Sequence, residues 1–513
     1  MPSELEEPDK HQVAGLAATM TVIAMGLGYS ITAGDPTILS SNISKVRKGL
    51  DFSPSMASFV ASLATLTLAA AVLGAGALGD LYGLKRMYIS GLLGAICFGL
   101  LAAASPNVVV LMIARGGSGI AFAFMLGMSL AVINSVFPPG RRAGAISLYL
   151  AAGYGAMVIQ PLIGSELAQH FGWRTCFLVA PAFSLVALVL TMKFVPETPR
   201  ASRRLDIVGL ALVAVALLGV VYGISRMQTG IKPGAVVPLL VGLVAGGLFV
   251  LWELRTDDPA LDMRIFRSSR FNAAVAAGVT FNFLEGGCII LFAYYLVTVR
   301  GQSPAVLGML IIPATLLAAA AATVAGRMIS RLGERNVLVG GLVILLAGML
   351  MFQVLDLYTP ILVLGVLVAF NAIGSAVVQT PEATIMMSTA PEGLGGAVAS
   401  VKSAVGQAGY SLGPAMFALV GFTLFYADGA KKLEGTGISA EQAREALRVA
   451  QGAGGPSGSA VLSPTQAQWV VSEAKQSMID AIHNLGLIMA VVPAAAIVLA
   501  MVLLRPKAGS AAA

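Results

Sequence analysis

Apolar residues along this chain come in long, nearly unbroken runs rather than in one-sided stripes or strict alternation. A helix that crosses a bilayer needs roughly 20 consecutive, mostly apolar residues. About fourteen runs meet that length, and each predicts one spanning helix. Eight lie near 14–40, 55–78, 87–105, 107–136, 143–168, 172–195, 205–227 and 234–254. Six more lie near 271–299, 304–326, 336–356, 360–388, 395–426 and 477–504. In lipid the backbone must satisfy its own hydrogen bonds, and runs this long are helices rather than barrel strands. The predicted class is an all-α integral membrane protein. One long interruption, 428–476, mixes Gly/Ser-rich sequence ("GAGGPSGS") with a short helical stretch ("SAEQAREALRVAQ") and is expected to be a partly ordered loop.

Composition agrees: 57% of residues are hydrophobic and 11% charged, whereas a soluble domain carries about 25% charged residues. The net charge of +7 does not gather into a basic stripe, so no nucleic-acid partner is expected. The basic residues orient the chain instead. With the N-terminus in the cytoplasm, roughly 18 Lys/Arg fall inside and about 12 outside, some five of the latter in the long loop that the rule discounts. Both termini are therefore expected inside, although the basic "SKVRKG" after the first run would then lie outside. Trp173 and Trp252 fall at predicted helix ends, as an interfacial belt requires. The acidic "MPSELEEPDK" lacks the basic start of a signal peptide, so the first run is expected to be a retained helix. Cys97, Cys176 and Cys288 all sit in apolar runs and imply no disulfide.

The two halves repeat. Ser53-Pro54 opens the second run and Ser303-Pro304 the tenth; Gly76 and Gly83 correspond to Gly326 and Gly333; "PGRRAGA" from Pro139 corresponds to "PEGLGGA" from Pro391; Pro161 corresponds to Pro414. The offsets, about 250 to 253 residues, describe a duplicated bundle. The predicted organisation is a tail (1–13), a six-helix bundle (14–196), a linker with two extra helices (197–265), a second six-helix bundle (266–505) carrying the 428–476 loop, and a short tail (506–513). Parallel halves about a central axis are a transporter plan, with binding near the midplane.

Three motifs sharpen this. "GALGDLYGLKR" resembles the signature turn between helices 2 and 3 of the major facilitator superfamily, matching at Gly76, Leu78, Asp80, Gly83 and Lys85, with Arg86 following. "LMIARGGSG" places Arg115 inside the fourth helix and resembles that family's Arg-x-x-x-Gly motif. "GYGAMVIQPLIGS" resembles its antiporter motif at Pro161 and Gly164, with Gln160, Ser165 and Ala156 where glycines are common. With the helix count and "RRLDIVG" after the sixth run, the chain is similar to the fourteen-helix drug:proton antiporters. The resemblance implies alternating access, a turn that latches one state, and proton coupling through Arg115.

Buried acids supply candidate chemistry. Asp35, followed by Pro36, lies in the first helix, and the repeat offset carries it onto Glu285 in "FNFLEGGCIILFAYY". A buried carboxylate attracts a cation when ionised and releases it when protonated. Phe281, Cys288, Phe292 and Tyr295 share Glu285's helix face, and aromatic rings suit an organic cation. Glu382, behind Pro381, and Asn371 are further candidates in the twelfth helix. The expectation is a non-enzymatic, monomeric inner-membrane exporter of lipophilic cations. Asp35, Arg115 and Glu285 would couple protons, and Glu285, Phe281, Phe292, Tyr295, Asn371 and Glu382 would meet substrate. With no nucleotide-binding motif evident, its energy source is the proton gradient and no cofactor is expected. Export of an endogenous lipid, siderophore or metabolite, proton-coupled import, and a non-transporting scaffold are the alternatives.

Overall fold

The computed structural model describes residues 15–52, 54–198, 206–227, 233–256, 263–302, 305–390, 395–433 and 464–504. Among them the regular elements are all helical. The first six are α1 (Leu16–Leu50), α2 (Pro54–Tyr82), α3 (Leu84–Ala103), α4 (Val108–Val136), α5 (Pro139–His170) and α6 (Val179–Phe194). Next come α7 (Ile207–Met227) and α8 (Pro233–Glu253), then α9 (Ser269–Tyr294) and α10 (Ala305–Leu332). The series ends with α11 (Glu334–Leu350), α12 (Ile361–Ser388), α13 (Gly395–Leu433) and α14 (Pro464–Leu503). Twelve helices of the described residues are long and apolar enough to cross a membrane, or thirteen if the bent α2 is one span. The sequence reading gives fourteen; the remaining member of that series, α9, is a continuous 26-residue helix outside this set.

Several ends differ from the hydropathy pattern. α1 continues ten residues past its apolar run and carries Arg47 and Lys48 in its last turn. Cations there meet the negative end of the helix dipole, which accounts for the basic "SKVRKG" segment without reference to topology. α13 and α14 reach into the expected loop from both sides, to Leu433 and from Pro464. Lys432 Nζ joins them, 2.6 Å from Asp480 and 2.7 Å from Asp428. The short helical stretch expected in that loop, Ser53, the Ser303-Pro304 pair, the opening of "PEGLGGA", and both predicted tails lie outside the described residues.

The chain forms two compact units. The first holds residues up to Leu210, with Glu253–Ile265 and Ala383–Ser403; the second holds Ala211–Trp252, Phe266–Glu382 and the chain from Ala404. In the first, α1 packs on α4, α5 and α6, and α3 on α4 and α6. In the second, α14 packs on α9 and α11, repeating the α1–α6 and α3–α6 pairs one half later. The turns repeat too. Gly83 before α3 and Gly333 before α11 have φ of 100° and 80°, a region that glycine adopts without a Cβ penalty.

Small residues set the helix spacing. In the first unit a Cβ at Gly153 of α5 would stand 2.4 Å from the Tyr29 ring of α1. In the second a Cβ at Gly413 of α13 would stand 2.1 Å from the Phe283 carbonyl oxygen of α9. The equivalent helix pairs thus approach closely in both repeats.

Candidate functional site

Asp35 of α1 and Arg115 of α4 meet inside the first unit, with Arg115 Nη1 2.6 Å from Asp35 Oδ2. Their side chains are 8% and 1% exposed. The contact is ionic by distance but lacks hydrogen-bond alignment, and Arg115 Nε and Nη2 have no hydrogen-bond partner among the described residues. An arginine this deep is costly unless paired, so Asp35 is the group that makes Arg115 tolerable. α1 runs through Pro36 as one helix, which keeps Asp35 at the level of Arg115.

Gln160 lies beside this pair. It is fully buried, and its Nε2 donates to Ser30 Oγ at 2.8 Å. A Cβ on Gly34, the neighbour of Asp35, would stand 2.8 Å from Gln160 Oε1. The bulk that Gln160 brings where the antiporter motif carries glycine is therefore accommodated by Gly34 across the helix interface. Gly164 keeps the close approach, since a Cβ there would stand 2.6 Å from Ile38. Pro161 lies within α5, which stays continuous.

At the motif turn, Gly76 and Asp80 are buried, Gly83 starts α3, Lys85 is half-buried and Arg86 is exposed. Two residues of the segment after α6 hold this turn, and motif matching did not find them. Thr198 Oγ1 accepts from the Leu84 backbone N–H at 2.8 Å, and Glu197 lies 3.7 Å from Arg86 Nε. The first satisfies one of the free N–H groups at a helix start. The second is a solvent-exposed pair, worth little by itself.

In the second unit α9 and α12 face each other in opposite directions. A Cβ at Gly278 of α9 would stand 2.8 Å from Glu382 Oε1 of α12, and the Asn371 side chain hydrogen-bonds Cys288 one helical stretch further along α9. Glu285 sits between these two contacts on α9 and is half-buried. Asn371, Ser375, Gln379 and Glu382 follow the three- and four-residue spacing of one face of α12, and all four are buried. The structure thus brings Glu285, Asn371 and Glu382 along one helix pair.

The aromatic residues fare differently. Phe281 is buried one turn before Glu285. Phe292 packs on Phe352 with ring centroids 5.4 Å apart, and Tyr295 donates its hydroxyl to the Asp356 carbonyl at 2.6 Å. Both are engaged with the segment that follows α11, so the expected stripe is divided. Glu166 is an exposed surface acid, 3.3 Å from His170. Among the described residues no group of three His, Cys, Asp or Glu is arranged to hold a metal.

Comparison with known proteins agrees with this architecture. The family model described as "Major Facilitator Superfamily" matches residues 20–414. The chain is 30% identical over 413 residues to the multidrug resistance protein Stp of Mycobacterium tuberculosis (strain CDC 1551 / Oshkosh), covering 79% of this chain and 75% of that protein. It is 29% identical over 472 residues to the methyl viologen resistance protein SmvA of Salmonella typhimurium (strain LT2), covering 90% and 93%. Among solved structures, the human organic anion transporter MFSD10 (TETRAN) superposes with a TM-score of 0.58 at 16% identity, over 95% of this chain and all of that one. At such identity the likeness speaks to the fold alone. With the duplicated bundles and the motif turn in place, the chain belongs to the Major Facilitator Superfamily, as a multi-pass, non-enzymatic membrane transporter whose relatives are named for multidrug and antibiotic resistance.

Proposed function

We propose that this transporter exports lipophilic cations across a bacterial inner membrane in exchange for protons, by alternating access, with both termini in the cytoplasm. The buried Asp35–Arg115 pair carries the reading. Protonating Asp35 removes the charge that compensates Arg115 and leaves a buried cation uncompensated, a state costing several kcal/mol. A proton arriving at Asp35 therefore has the energetic leverage to shift a two-state equilibrium. Glu285, with Phe281 on the same helix and Asn371 and Glu382 on the α12 helix that meets it, supplies a carboxylate for the cationic cargo. Phe292 and Tyr295 support that site by fixing the end of α9. The turn at Gly76, Asp80, Gly83, Lys85 and Arg86 governs which state persists, and Gln160, Pro161 and Gly164 set the α1–α5 interface. The names of the relatives support export of toxic compounds and carry no residue-level roles.

The test is proton-driven uptake of ethidium into proteoliposomes with an acidic interior. The wild type should accumulate ethidium only while the gradient lasts, and Glu285→Gln should lower the apparent affinity at least tenfold. Cation uptake indifferent to the gradient would sink the coupling. Gradient-driven movement in the same direction as the proton would replace export by import.

A further inference from the structure

The α9–α12 face of the second unit holds more acceptors than its neighbours use. Asn371 Oδ1 and Ser375 Oγ are both buried, at 7% and 1% residue exposure, and neither has a hydrogen-bond partner among the described residues. Asn371 engages Cys288 on α9, three residues past Glu285. Ser375 lies one turn along α12 from Asn371, towards Glu382, whose carboxylate meets α9 at Gly278, seven residues before Glu285. In this antiparallel register, with Gly278 against Glu382 and Cys288 against Asn371, Ser375 falls level with Glu285 and Asn371 one turn further along α9. Buried acceptors are normally satisfied, and each exception in a native structure calls for an explanation. Here one chemistry satisfies all three groups: a ligand with a positive charge and several N–H donors.

We propose that this face is a subsite for cations bearing N–H groups, a protonated amine or a guanidinium, in preference to fully alkylated ammonium ions. The inference rests on the export reading above and adds a substrate class to it. Glu285 is the group still partly open, so the cation meets its carboxylate first and the two neutral oxygens as α9 and α12 part. A guanidinium or ammonium donates to all three. A trimethylammonium group keeps the charge but presents only C–H, leaving Asn371 Oδ1 and Ser375 Oγ unmatched. Sites built to hydrogen-bond a polar group discriminate strongly against analogues lacking it, because their own polar atoms are left unpaired.

The experiment compares 4-phenylbutylguanidinium with 4-phenylbutyltrimethylammonium. Both stay charged near neutral pH, so neither leaks across the bilayer as a free base. Proton-driven uptake into proteoliposomes gives the ratio of their kcat/KM values. The wild type should favour the guanidinium by about tenfold or more. Ser375→Ala and Asn371→Leu should each reduce that ratio at least threefold, whereas Asn371→Asp, which keeps the acceptor, should preserve it. A wild-type ratio near one, or a ratio untouched in both Ser375→Ala and Asn371→Leu, overturns the subsite. Robust exchange of the trimethylammonium alone overturns it too, while leaving proton-coupled export intact. If neither cation moves with the gradient, the export reading fails and the subsite falls with it.

Discussion

Arg115 and Asp35 hold each other in a place where neither is tolerable alone. Breaking a buried pair by removing one partner typically costs about 3–5 kcal/mol, because a charge is left uncompensated. Asp35→Asn and Arg115→Gln should therefore each lower the melting temperature of the purified protein markedly. The double variant should recover most of the loss, since it buries two neutral amides. Additive losses in a double-mutant cycle would mean that the two residues do not act as a pair. Both residues were legible in the sequence, because a charge inside a long apolar run stands out. Their contact was not, since a hydropathy pattern gives depth along a helix but not the side it presents. Ser30 and Ser375 were not legible at all. Serine is common in spanning helices, and only the partners, present for one and absent for the other, distinguish them.

Interfaces between helices depend on where a side chain has no room. Gly413→Ala places a Cβ against the Phe283 carbonyl, a backbone atom that cannot rotate away. The clash should destabilise the α9–α13 contact by about 1–3 kcal/mol. Gly155→Ala in α5 meets nothing within 4 Å and should be neutral or slightly stabilising, since alanine favours the helix. Thermal melting of both variants checks the contrast; equal effects would show that helix propensity outweighs packing here. At the motif turn, Thr198→Val removes the acceptor for Leu84 N–H and should cost about 1 kcal/mol, the usual worth of such a cap. Faster hydrogen exchange confined to the first turn of α3 would report it, and unchanged exchange would contradict it. The existence of the helices was readable because lipid demands about 20 apolar residues from each. Their ends were not, because once a helix leaves the apolar layer nothing in hydropathy stops it. α1 runs on to Leu50, and α14 starts at Pro464, well before its apolar stretch. The loss of glycine at Gln160 reads as damage to the antiporter motif in sequence, whereas Gly34 opposite absorbs it in structure.

Duplication organises the whole molecule. Each half brings a carboxylate into its first helix at equivalent positions, Asp35 in α1 and Glu285 in α9, yet their surroundings have diverged. Asp35 faces a buried guanidinium, while Glu285 is only half-buried, on a helix that meets α12, where two buried neutral oxygens have no hydrogen-bond partner among the described residues. On the proposed function that asymmetry divides the labour: the first carboxylate would answer to protons and the second to cargo. The most direct test separates coupling from transport in a single variant. Proteoliposomes carrying Asp35→Asn are assayed for ethidium accumulation under a proton gradient, and for exchange of labelled against unlabelled ethidium without one. The account predicts that Asp35→Asn loses accumulation while retaining cation-for-cation exchange. Accumulation at the wild-type rate in Asp35→Asn would contradict it.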